Sequence, residues 1–197
     1  MGAEAAARPA IRPMRPEDIA AVQLIEQQVY EQPWSASLFA TELAEPNRCY
    51  LAAWAEEGAG GGLLGYGGVR LAVDEAHITN VAVAPRARRQ KVGSHLVLAL
   101  LEAAVDMGAT AATLEVRTSN RAAQGLYASF GFASVGVRPR YYAADGEDAI
   151  IMWVHDLDGM ACAALLRRRG AQLRPGPRAS AHDASRANLT RDREVVS

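Results

Sequence analysis

A basic turn broken by proline, set between an apolar strand and an amphipathic helix, constrains this chain more than any other feature. The stretch from Ile78 to Tyr127 reads ITNVAVAPRARRQKVGSHLVLALLEAAVDMGATAATLEVRTSNRAAQGLY. Pro85 ends the strand, and Arg86, Arg88, Arg89 and Lys91 gather cations directly ahead of the helix. The first N–H groups of a helix lack intrahelical partners and carry partial positive charge, so the junction suits a polyphosphate. A solvated basic loop is the plain alternative. Gly93, which lets a ligand approach the backbone, and the direct opening into a helix argue for binding. The next strand, Ala112 to Val116, carries a lone carboxylate, Glu115, and belongs beside the first in a sheet.

The rest of the chain supplies the remaining layers. Ile11 to Met14 reads as a strand and Ile19 to Val29 as a helix whose apolar face has one polar exception, Glu26. Ser35 caps a short helix through Leu43. Strands follow at Cys49 to Trp54, Leu63 to Val69 and Ala76 to Val83; the glycines of Glu56 to Gly62 join two of them and form a hairpin loop, since no helix follows. The helix from Val92 to Met107 places Leu96, Val97, Leu100, Leu101 and Ala104 at three- and four-residue intervals, and Gly108 suits its exit. Asn120 or Ser119 caps a helix to Ser129, ended by Gly131. The final strands, Ser134 to Val137 and Ala149 to Val154, flank a polar, aromatic connection from Arg138 to Asp148. The expected fold is α/β, a mixed, mostly antiparallel sheet of about six or seven strands with helices on both faces.

Three regions are expected: a flexible N-terminus over 1–10, one domain over 11–157, and an Arg/Ala-rich extension over 158–197. After a turn or two of helix, the extension has few large apolar residues and reads as disordered. Residues 161–197 hold eight arginines against Asp183, Asp192 and Glu194, so the first 160 residues are net −6 in a chain of net −1. Such a tail can touch RNA weakly, but it has no interleaved aromatics, and nucleic acid is not the expected partner. The apolar run from Val92 to Val105 is interrupted by Ser94, His95 and Glu102, and the start lacks a secretory core, so neither membrane nor export is expected. Gly2 is followed by Ala6 where a myristoylation signal has Ser or Thr. Cys49 and Cys162 read as reduced thiols without metal-ligand spacing, which fits a cytoplasmic protein with no metal. The phosphate-loop lysine motif and the G-x-G-x-x-G fingerprint are missing, against an NTPase or a dinucleotide dehydrogenase.

The turn resembles the acyl-coenzyme A binding motif of the GNAT N-acetyltransferases, Q/R-x-x-G-x-G/A. It falls on Arg88, Arg89, Gln90, Lys91, Val92 and Gly93, with Lys91 standing where the signature has its first glycine. Glu115-Val116-Arg117, Asn120, Leu126-Tyr127, Gly131-Phe132, Tyr141-Tyr142, Glu147-Asp148-Ala149 and the upstream Pro33-Trp34-Ser35 extend the similarity to RimI-type N-terminal acetyltransferases over roughly residues 11 to 157. The resemblance implies acetyl-coenzyme A as co-substrate, held by Val81, Ala82 and Val83, by Arg88 to Ser94 (Arg88, Arg89, Gln90, Lys91, Val92, Gly93 and Ser94) and by Asn120. It implies an acceptor amino terminus, in this group the first residue, alanine, of a small-subunit ribosomal protein, bound by Trp34, Ser35, Tyr141 and Tyr142. It also implies a strand bulge near Val81 that frees a backbone N–H for the carbonyl oxygen.

Acetyl transfer to an amine requires a base, because an α-amino group with pKa about 8 is mostly protonated at neutral pH. Glu115 is the candidate base and Tyr127 the candidate acid for the departing thiolate. The plain readings are a Glu115 paired with Arg117 or another cation, a packed Tyr127, loop aromatics at Tyr141 and Tyr142 that only stabilise, and a structural or solvent-facing His77. With these roles, direct attack in a ternary complex is expected, without a covalent acyl-enzyme; Cys49 lies in an apolar strand and Cys162 near the tail, with no local His, against a thiol nucleophile. Alternatives are a relative acetylating a lysine, an antibiotic or a polyamine, favoured if acidic residues line the acceptor groove, or a non-catalytic acyl-coenzyme A sensor or ribosome-associated module.

Overall fold

A computed structural model describes residues 8–55 and 61–173. The first seven residues of the expected flexible N-terminus, most of the hairpin loop and the tail beyond 173 lie outside the described residues. Strands β1 (Ala10–Pro13), β2 (Arg48–Trp54), β3 (Leu63–Ala72), β4 (Glu75–Val83), β5 (Ala111–Arg117), β6 (Ala133–Tyr142) and β7 (Glu147–Val154) form one sheet in the order β1-β2-β3-β4-β5-β7-β6. Every neighbouring pair is antiparallel except β4 and β5. This is the mixed sheet that the patterning implies.

The helices are α1 (Ile19–Val29), α2 (Ala36–Ala44), α3 (Val92–Asp106), α4 (Arg121–Ala128) and α5 (Met160–Leu173). Their starts follow from side-chain chemistry: Ser35 Oγ accepts from the Leu38 N–H at 3.1 Å, and Asn120 Oδ1 from that of Ala123 at 3.0 Å. Tyr66 turns towards Glu26 of α1 and Phe39 of α2, whereas the glycines beside it turn the other way. A Cβ at Gly67 would stand 2.8 Å from Leu100 Cδ1, so glycine there brings α3 against the sheet. The face of α3 named from its spacing (Leu96, Val97, Leu100, Leu101, Ala104) is buried. Each such large aliphatic contributes about 1.5–3 kcal/mol.

Two elements differ from the reading of the sequence. Strand β6 runs on to Tyr142, with β7 starting at Glu147, so most of the connection expected between Arg138 and Asp148 is strand. It is an exposed edge strand with irregular pairing between Arg138 and Tyr142, and it therefore lacks the alternation by which a half-buried strand is read. Helix α5 continues to Leu173, beyond the expected turn or two, and buries Cys162 and Leu166. Among the described residues, no helix is long and apolar enough to cross a membrane.

Candidate active site

Strands β4 and β5 pair only over Glu75 to His77 against Ala111 to Thr113. Beyond that point they splay, and a cleft opens between their C-terminal halves. On its other edge, β4 is fully engaged with β3: Ala84 donates to the Leu64 carbonyl at 2.8 Å, and Ala82 is registered with Tyr66. Ladder alternation then turns the backbone amides of Val81 and Val83 into the cleft. The bulge in β4 lies at Thr79 rather than at Val81, because Gly68 opposes Asn80 and Val69 opposes Ile78, leaving Thr79 over. That extra residue bends the strand away from its parallel partner.

A cavity of about 530 Å³ occupies the opening. Val81, Glu115, Asn120 and Tyr127 line it from the cleft, Trp34 lines it from the loop between α1 and α2, and Tyr141 and Tyr142 line it from the end of β6. Residues 88–94 cross the start of α3 outside this lining, and Ala82 is buried in the sheet. Ser35 also stays outside, its hydroxyl serving as the α2 cap. Arg89 and Lys91 have left-handed backbone, φ +66° and +61°. A Cβ on Gly93 would meet Leu126 Cδ2 at 3.3 Å and Val83 Cγ2 at 3.7 Å, so glycine lets α3 start close against β4 and α4.

The side chain of Glu115 is 6% exposed and has two partners. His77 Nε2 lies 2.7 Å from Oε2 and Arg138 Nη2 lies 3.3 Å from Oε1. Arg117 is engaged elsewhere, with Asp145 and Glu147 at 2.7 Å each. Its guanidinium also lies 3.9 Å from the centre of the Tyr142 ring. Tyr127 sits edge-on to Phe132, and burial pushes its phenol well above the ordinary range. Burial likewise pushes Tyr142 up to about 12.

Trp34 is fixed through its backbone. Glu26 accepts from its N–H at 2.7 Å, and Gln23 Nε2 donates to its carbonyl at 2.5 Å. Glu26, 1% exposed, also accepts from the Tyr66 hydroxyl, which accounts for the one polar residue on the apolar face of α1. Reading the chain residue by residue misses His77, Arg138 and this role of Glu26. The period of two along a strand is the usable signal: with β4 and β5 registered at His77 and Thr113, Glu115 falls on the same face one step further on.

A splayed parallel pair, a helix start beneath it and a carboxylate and phenol facing one cavity define an acyl-coenzyme A dependent N-acetyltransferase. The sequence matches the model of the Acetyltransferase (GNAT) family over residues 19–132, and the chain belongs to that family. It is 42% identical, over 74% of its length and 94% of the relative's, to a Bacillus subtilis (strain 168) protein provisionally named a ribosomal protein bS18-alanine N-acetyltransferase. It is 37% identical to the N-alpha-acetyltransferase RimI of Mycobacterium tuberculosis, over 65% of this chain and 80% of that one. The crystal structure of the ribosomal-protein-S18-alanine N-acetyltransferase from Escherichia coli superposes with a TM-score of 0.66 at 31% identity, covering 75% of this chain and 94% of that chain.

Proposed function

We propose that this protein acetylates the α-amino group of a protein N-terminus, the alanine of a small-subunit ribosomal protein, using acetyl-coenzyme A in the cytoplasm. The observation that carries the reading is the convergence of Glu115, Tyr127 and the free edge of Val81 on one cavity walled by Trp34, Tyr141 and Tyr142. The cleft fits a pantetheine arm: its exposed backbone edge supplies donors and acceptors, and the left-handed turn leads into the α3 start, whose unpartnered N–H groups suit a pyrophosphate. Arg88 to Ser94 and Asn120 would hold the nucleotide end, and Val81 to Val83 the arm. When bound, the co-substrate supplies the acetyl group as a thioester.

Glu115 takes a proton from the acceptor ammonium, directly or through a water, and leaves the amine free to attack. The Val81 amide faces the place where negative charge develops on the carbonyl oxygen. As the carbon–sulfur bond breaks, Tyr127, kept protonated by burial, gives its proton to the leaving sulfur and regains one from the acetylated nitrogen, which sheds its second proton as the amide forms. Cys49 and Cys162 are outside the cavity lining, and burial raises both thiols, so neither is placed as a nucleophile. Of the four glutamates that line the cavity, Glu26, Glu42 and Glu115 are already paired within the protein and only Glu31, exposed on the loop before Trp34, has no partner among the described residues, which favours a peptide acceptor over a polyamine.

The test is incubation with acetyl-coenzyme A and peptides differing in their first residue, with spermidine and a peptide having a blocked N-terminus and a free lysine as rivals, followed by mass and thiol release. Amino-terminal acetylation favouring a small first residue is expected, and Glu115→Gln and Tyr127→Phe should each slow it by at least about tenfold. Undiminished rates in both variants would overturn the acid/base roles; modification of lysine or spermidine alone would overturn the acceptor.

A further inference from the structure

His77 stands at the apex of the cleft, the last residue of β4 still paired with β5. Its Nε2 is 2.7 Å from Glu115 Oε2, and its Nδ1 is 3.4 Å from Arg70 Nη2. A guanidinium can only donate, so Nδ1 accepts, and the ring's hydrogen is on Nε2, where it donates to the carboxylate. Arg138 holds the other oxygen at 3.3 Å. The carboxylate is thus gripped from both sides, by β4 through one oxygen and by β6 through the other.

We infer that His77 is a positioning residue for the transfer reaction, setting the orientation of the Glu115 carboxylate from the head of the cleft. This rests on Glu115 being the base. An imidazole N–H in that place fixes the carboxylate's torsion, so that its remaining lone pairs face the cavity where the amine arrives. Arg138 cannot do this alone, because it is exposed and reaches a single oxygen at the longer distance. Arg70 acts one step back, by fixing the tautomer of His77.

The experiment is a double-mutant cycle of His77→Ala and Glu115→Gln on kcat and KM with acetyl-coenzyme A and an alanine-first peptide, alongside His77→Gln and imidazole ¹⁵N chemical shifts. His77→Ala should lower kcat roughly tenfold in the parent and less than about twofold in the Glu115→Gln background, with KM for acetyl-coenzyme A unchanged. His77→Gln, whose amide nitrogen reaches the place of Nε2, should restore most of the rate, and the shifts should report hydrogen on Nε2. A rate loss of equal size in both backgrounds, or none in the parent while Glu115→Gln is impaired, would overturn the role of His77 and leave that of Glu115 standing. Full activity of Glu115→Gln would instead remove the base, and this inference with it.

Discussion

Lys91 is the residue at which chemistry and backbone pull in different directions. The family signature has glycine there, and the structure supplies the reason: φ is +61°, the left-handed region that costs a side-chain-bearing residue about 1–2 kcal/mol. Arg89, two residues earlier, shares the conformation at φ +66°. The turn therefore keeps the backbone shape of a glycine turn while presenting cations from it. Lys91→Gly should be at least as stable as the parent in urea denaturation, because relief of strain offsets the added freedom of the unfolded chain. Lys91→Val, β-branched and uncharged, should lose about 1–2 kcal/mol, and both should bind acetyl-coenzyme A more weakly at low salt by calorimetry. If Val were tolerated as well as Gly, the left-handed geometry would not matter to the fold.

Among the elements, β5 and the β6–β7 hairpin are braced as one unit by Glu147. Its carboxylate accepts from Arg117 Nη1 at 2.7 Å, Thr118 Oγ1 at 3.1 Å and the Ser119 N–H at 2.7 Å. Gln124 ties α4 to the same corner by donating to the carbonyls of Arg117 and Thr118. One carboxylate thus couples the wall formed by Tyr141 and Tyr142 to the helix that carries Tyr127. The hydrogen bond from Arg117 chiefly, then those from Ser119, hold the Glu147 carboxyl down at about 2. A depressed carboxyl stabilises the fold above its unfolded value of about 4.3, and that contribution drains away as pH falls towards 2. Glu147→Gln should flatten the decline of the urea midpoint across that window and raise KM for the peptide several-fold more than KM for acetyl-coenzyme A. The same elements show where sequence stops being informative. Asn120, Ser35 and Gly108 act within their own turns, so local chemistry gives them away. The meeting of His77 and Glu115 depends on the register of a parallel pair, which no hairpin sets, and that of Arg138 depends on an edge strand without periodicity. The Thr79 bulge is likewise invisible, since a bulge changes pairing rather than composition.

For the molecule as a whole, the open question is what α5 adds to a domain whose family match ends at residue 132. It lies across α3 and the corner between α4 and β6. Cys162 and Leu166 are buried there, and Arg169 Nε donates to the Ser129 carbonyl at 2.7 Å while its guanidinium covers Phe130. No residue of α5 lines the cavity that holds Glu115 and Tyr127, although Arg169, Gln172 and Leu173 border a small pocket with Lys91 and Ser94 at the start of α3, so α5 should matter for stability and not for kcat. Leu166→Ala should cost about 2–4 kcal/mol, the usual loss for emptying a buried leucine site. Gly170 offers the opposite change: it sits within α5, and a Cβ there would make an ordinary contact with Leu98 Cδ2 at 3.5 Å. Gly170→Ala should gain about 0.5–1 kcal/mol from helix propensity alone, a rise of a few degrees in Tm for a chain of this size. Both variants should keep the parent kcat at 25 °C. A loss of turnover in Leu166→Ala under conditions where it remains folded would show instead that α5 sets the position of α3, and through it the turn proposed to receive the cofactor.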